Sequence, residues 1–134
     1  MIDWPKEIPI IAALAAEYQV DPLFIAAVRV AENGPVGKEF GVEDPAANTY
    51  ELQCREACAT VRDRLTSYYP GNPLVLKPSG PIKRVCYSPA FIGEFQRVWA
   101  PTTNATNDPQ NLNRFWLTNA SAAYARFIAA GTIA

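Results

Sequence analysis

Apolar positions recur along this chain at helical spacing, separated by proline- and glycine-rich breaks, and this pattern predicts a mainly α protein. Ile8 to Tyr18 sets Ile11, Leu14, Ala15 and Tyr18 on one stripe, with Pro9 suited to a first turn. Asp21-Pro22 then pairs an N-cap residue with a proline at the first helical position, and Asn33-Gly34-Pro35 supplies a stop. Between these signals Leu23, Phe24, Ile25, Ala26, Ala27, Val28, Val30 and Ala31 leave almost no polar face. A helix apolar all round belongs at the centre of a fold. Only Arg29 and Glu32 interrupt it.

Gly34 to Asn48 holds three glycines and two prolines and reads as a loop, with Phe40-Gly41-Val42 a short extended piece. Asn48 and Glu51 form a capping-box pattern for a third helix, whose stripe is Cys54, Cys58, Val61, Leu65 and Tyr68. Four prolines and two glycines between Pro70 and Pro81 predict a surface loop, followed by a short strand around Ile82 to Tyr87. Ser88-Pro89 opens a fourth helix through Phe91, Ile92, Phe95, Val98 and Trp99, ended by Pro101. After an asparagine-rich turn from Asn104 to Asn113, in which Asn107 and Asp108 serve as turn and cap residues, a last helix carries Trp116, Tyr124, Phe127 and Ile128 up to Gly131. The expected architecture is one domain over residues 1–134, with a central buried helix and at most a small β element.

Composition narrows the chemistry. The 134 residues carry 12 basic and 13 acidic side chains, so no net charge draws the chain to nucleic acid or to an acidic membrane. The longest apolar run, Ile8 to Ala16, falls far short of the ~20 residues that span a bilayer, and neither membrane insertion nor a signal peptide is expected. Cys54, Cys58 and Cys86 cannot all pair within one molecule. Cys54 and Cys58 sit four apart on a predicted helix, but the chain contains no histidine to complete a metal site with them, and no metal or cofactor is expected. The missing histidine also excludes Ser-His-Asp and Cys-His machinery, leaving acid-base work to a carboxylate, lysine, tyrosine or thiol.

Glu32 is the carboxylate that the pattern isolates. It lies seven residues after Ile25, on the face shared with Ile25 and Val28, at the C-terminal end of the apolar helix. Partial burial and the negative end of the helix dipole both disfavour its charge and raise its pKa. An acid still protonated near neutral pH is what cleavage of a glycosidic bond requires. On the residues alone a second reading stays open, in which Glu32 is a surface glutamate paired with Arg29 one turn back.

Ala31-Glu32-Asn33-Gly34, then Gly37-Lys38-Glu39-Phe40-Gly41-Val42, then Thr49-Tyr50-Glu51-Leu52-Gln53 follow one another in order. The string resembles the catalytic region of phage-associated lysozyme-like proteins and, more distantly, of goose-type lysozymes and soluble lytic transglycosylases. Trp99-Ala100-Pro101, Asn107-Asp108-Pro109 and Leu112-Asn113 resemble the later part of the phage-type pattern, so the likeness spans roughly Ile8 to Tyr124.

The resemblance implies a lysozyme-like fold and cleavage of peptidoglycan between N-acetylmuramic acid and N-acetylglucosamine, with Glu32 as the acid. It also implies that Phe40, Gly41, Val42, Tyr50 and Gln53 border the sugar cleft. Trp99 stands where the pattern carries tyrosine, so an indole replaces a phenol there. Glu39, Glu43 and Asp44 are the nearby candidates for a second carboxylate, and no spacing singles one out. The implied partners are the peptidoglycan glycan strand and, for a virion-associated protein, other phage particle proteins. A holin-type lesion, delivery in a virion or a longer precursor would bring such a protein from phage or host cytoplasm to the wall. Two readings from other classes remain: a lysozyme-like structural or glycan-binding part of a phage particle without turnover, and a helical interaction domain.

Overall fold

The computed structural model describes residues 1–76, 84–102 and 112–133. Its elements run α1 (Trp4–Tyr18), α2 (Pro22–Glu32), α3 (Tyr50–Tyr68), a 3-10 turn at Pro73–Leu76, α4 (Pro89–Trp99), a second 3-10 turn at Leu112–Phe115, and α5 (Trp116–Ala130). The chain is mainly helical, with no strand among the described residues. No helix there is long and apolar enough to cross a membrane.

The expected signals delimit α2. Asp21 accepts a hydrogen bond from the Leu23 N–H, Pro22 opens the helix, and Asn33 closes it in the left-handed conformation at φ 42°. Every side chain from Leu23 to Arg29 is buried. The helix packs on α1, α3 and, most broadly, α5. Removing Phe24, Ile25 or Val28 from water stabilises the fold by about 1.5–3 kcal/mol each. Phe24 is the hub, with the rings of Tyr87, Tyr124 and Phe95 at 5.2, 5.4 and 5.6 Å.

Burying α2 also buries its polar groups, and each one has partners. Asp21 is fully enclosed. Its carboxylate accepts from the Tyr124 hydroxyl at 2.7 Å and from Arg84 Nε at 3.1 Å, while its N–H donates to the Tyr87 hydroxyl at 2.8 Å. Arg29, 2 % exposed, donates from Nε to Glu7 on α1 at 2.7 Å and reaches the Glu39 carbonyl from Nη1 at 3.4 Å. Glu7 in turn accepts from the Tyr50 hydroxyl and the Asp3 N–H.

Several boundaries differ from expectation. Pro5, rather than Pro9, lies in the first turn of α1, and Pro9 is interior; Glu7 reaching back to the Asp3 N–H anchors the earlier start. Thr49, not Asn48, caps α3 by accepting from the Leu52 N–H. That moves Glu51 out of the capping-box position, and it pairs with Arg55 instead. Val98 and Ile128 fit a helical stripe but are 53 % and 41 % exposed.

Neither extended segment forms a strand among its described residues. Phe40 to Val42 is irregular backbone, and after the helical residue Arg84 the chain turns to Tyr87, whose N–H donates to the Arg84 carbonyl at 2.9 Å. Residues 82–83, and the turn with Asn107 and Asp108, lie outside the described residues. Cys54, Cys58 and Cys86 are buried and form no disulfide, and they fill the core as small side chains.

Glu7→Ala should cost about 3–5 kcal/mol in urea unfolding, because it leaves the Arg29 charge buried without its partner. Pairing that change with Arg29→Met should restore most of the loss. A single variant as stable as the wild type would mean that the ion pair does not join α1 to α2.

Candidate active site

Glu32 ends α2, where the helix emerges from the core toward a cavity of about 370 Å³. The cavity is lined by Ala31, Glu32, Leu112, Asn113, Phe115, Trp116 and Asn119, so Glu32 is its one ionisable side chain among the described residues. Arg29 does not pair with Glu32, because its guanidinium turns to Glu7 and to the Glu39 carbonyl.

Two indoles hold Glu32 instead. Trp116 Nε1 donates to Glu32 Oε2 at 2.8 Å and Trp99 Nε1 donates to the same oxygen at 3.1 Å. The rings are fixed by the aromatic core: Phe95 stacks on Trp99 with centroids 5.5 Å apart and meets Trp116 at 5.9 Å. A continuous run of rings thus joins Phe24, in the first turn of α2, to the two donors at its end.

On its other side the carboxyl meets the loop after α2. Gly41 has φ +76°, and a Cβ there would stand 2.2 Å from Glu32 Oε1, so only glycine lets this backbone meet the carboxyl. Gly34 makes the fold-back that starts the loop, where a Cβ would lie 1.8 Å from the Lys38 carbonyl oxygen. Gln53, fully buried on α3, pins the loop. Its Oε1 accepts from the Phe40 and Val42 N–H groups, and its Nε2 donates to the Val42 and Ala47 carbonyls. One side-chain amide does here what a neighbouring strand would do for an extended segment.

Desolvation pushes the Glu32 pKa up to about 7 from an ordinary 4.5. The Trp116 and Trp99 hydrogen bonds oppose that shift by favouring the carboxylate, and repulsion from Glu43 adds to it. Among the three acidic candidates in the loop, Glu43 is the one whose charge acts on Glu32; it is exposed and paired with Lys38 at 2.9 Å. Asp44 instead bonds the Ala46 N–H, and Glu39 is buried with its Oε1 lacking a hydrogen-bond partner among the described residues.

Of the residues expected beside the cleft, Gly41 and Trp99 meet Glu32. Val42 is half-buried at the edge of the core. Phe40 and Gln53 are wholly interior and act by holding the loop. Tyr50 packs edge-on against Phe40 at 5.4 Å and lines a separate cavity of about 360 Å³ with Glu7, Arg29 and Glu39, away from the one beside Glu32. Trp116, Asn113, Phe115 and Asn119 were not anticipated at the site. Trp116 was legible as a core residue, and its buried N–H needed a partner, which is the signal that it had a polar role.

Comparison with protein-family models, curated proteins and solved structures gives no match to this chain. The site therefore speaks through its own geometry.

A carboxyl with a folded-state pKa above its unfolded one weakens the fold as pH rises. The loss begins above about pH 4.5 and is complete above about pH 7. Glu32→Gln should therefore be more stable than the wild type at alkaline pH, by on the order of 3 kcal/mol, and should match it in mild acid. Urea unfolding of both proteins across that range checks this, and parallel curves would mean that Glu32 is not held in its acid form.

Proposed function

We propose that the protein cleaves the glycan strand of peptidoglycan between N-acetylmuramic acid and N-acetylglucosamine, with Glu32 as the single general acid and base. The observation that carries this reading is a carboxyl poised near pH 7 on an otherwise uncharged cavity. The order of short motifs around Glu32, which resembles that of phage lysozyme-like proteins, supports the same chemistry.

In the first step the Glu32 proton passes to the glycosidic oxygen as the C–O bond at the muramoyl anomeric carbon breaks, and the bonding pair leaves with that oxygen. The carboxylate then takes a proton from the incoming nucleophile as it closes on the electron-deficient carbon. Water in that role yields a reducing end; the muramoyl 6-hydroxyl yields an anhydro ring. No carboxylate other than Glu32 lines the cavity among the described residues, which favours a one-carboxylate scheme over a nucleophilic pair. Exposed Leu112 and Phe115 offer an apolar face to a sugar ring, and Asn113 and Asn119 offer carboxamides to its hydroxyl and acetamido groups.

Purified peptidoglycan incubated with wild type should release soluble fragments readable by mass spectrometry, and Glu32→Gln should release at least about a hundredfold less. The wild-type rate should fall as pH rises through about 7, because the acid form is lost there. Full activity in Glu32→Gln would overturn the assignment. Binding without fragments from either protein would favour the alternative of a glycan-binding or structural component.

A further inference from the structure

The positions of the two indoles bear on which oxygen of Glu32 carries the proton. An indole N–H is a donor with no acceptor capacity. Trp99 and Trp116 both direct theirs at Oε2, from two different helices, while Oε1 takes no hydrogen bond among the described residues and faces Gly41. Two donors on one carboxyl oxygen occupy both of its lone-pair directions, so a proton added to the group has room only on Oε1. The better acceptor in a neutral carboxylic acid is also the carbonyl oxygen, which makes Oε2 the C=O.

From this we propose that Trp99 and Trp116 are positioning residues that commit the Glu32 proton to Oε1, the oxygen against Gly41, so that proton transfer starts from one defined atom. The proposal rests on the glycan-cleaving reading for its purpose, though not for its geometry. Neither indole is free to swing away. Trp99 is stacked on Phe95, and Trp116 is 3 % exposed. The chain just after α4 and just before α5 is tied together by the Asn113 Nδ2 bond to the Pro101 carbonyl and by the Gln96 Nε2 bond to the Asn113 carbonyl, which sets the spacing of the two donors.

The same two bonds serve the second half of the reaction. Once Oε1 has given up its proton, the carboxylate that remains is still held by two N–H groups and keeps its orientation while it accepts a proton from the nucleophile. No charged group among the described residues hydrogen-bonds to it: Arg29 on α2 is turned to Glu7, Glu43 in the loop repels its charge but is paired with Lys38, and α4 and α5 present uncharged Trp99, Trp116 and Asn119.

The test replaces each indole, one at a time, by phenylalanine and by a benzothienyl side chain, in which sulfur takes the place of N–H at nearly unchanged shape. Two readouts on the whole protein do not depend on activity: the carbon-13 titration of the Glu32 carboxyl, and the C=O stretch of its acid form, isolated as the infrared difference between each protein and its Glu32→Gln counterpart. Each replacement should move the titration midpoint up by about one pH unit, since a donor to the carboxylate is lost. Each should also shift the C=O band to higher frequency, because Oε2 loses a donor. A C=O band unmoved in the benzothienyl variants would place the proton on Oε2 and overturn the proposal. If wild type released no glycan fragments, the functional reading would fall while these two measurements still decided which oxygen carries the proton.

Discussion

The structure is organised by the complete burial of α2. A helix without a polar face can be enclosed on every side, but its ends and its few polar side chains must then be satisfied within the protein. At the first end Asp21 gathers Tyr87, Tyr124 and Arg84. In the last turn Arg29 draws Glu7, and with it α1, onto the helix. At the last end Glu32 meets two indoles and, among the described residues, no cation. The first two groups are satisfied as ions or by polar partners, whereas the third keeps neutral surroundings that favour its acid form.

That difference separates structural polar groups from the candidate reactive one. An ion pair such as Arg29 with Glu7 holds its carboxylate charged: burial alone would raise the Glu7 pKa, but bonds from Arg29, Asp3 and Tyr50 bring it below its usual value. Glu32 has no such counter-ion among the described residues, and burial prevails. Keeping it so lowers stability at neutral pH, a cost carried at a cavity rather than in the closed core. The loop from Gly34 to Ala47 completes the arrangement without a sheet, since Gln53 supplies the hydrogen bonds that a partner strand would have made.

Much of this was legible along the chain. Capping and stop signals at Asp21-Pro22, Ser88-Pro89, Asn33 and Gly131 mark helix ends because they depend on the local backbone alone. The isolation of Glu32 on an apolar helix was readable for the same reason. Val98 and Ile128 lie in the expected helices but are exposed, because a helical stripe does not reveal how much of it a neighbour covers. Phe40 and Gln53 were expected at the cleft but lie in the core, and Tyr50 lines a separate cavity, since order along the chain does not say which way its side chains face.

By itself the sequence determined the mainly helical class, the central place of α2 and the one carboxyl with apolar surroundings, because composition and local backbone preference act over a few residues. The tertiary structure alone decided that Arg29 would pair with Glu7 and leave Glu32 to Trp99 and Trp116. Those partners come from positions 22, 67 and 84 residues apart, and only the packing of α1, α4 and α5 around α2 brings them within hydrogen-bonding distance.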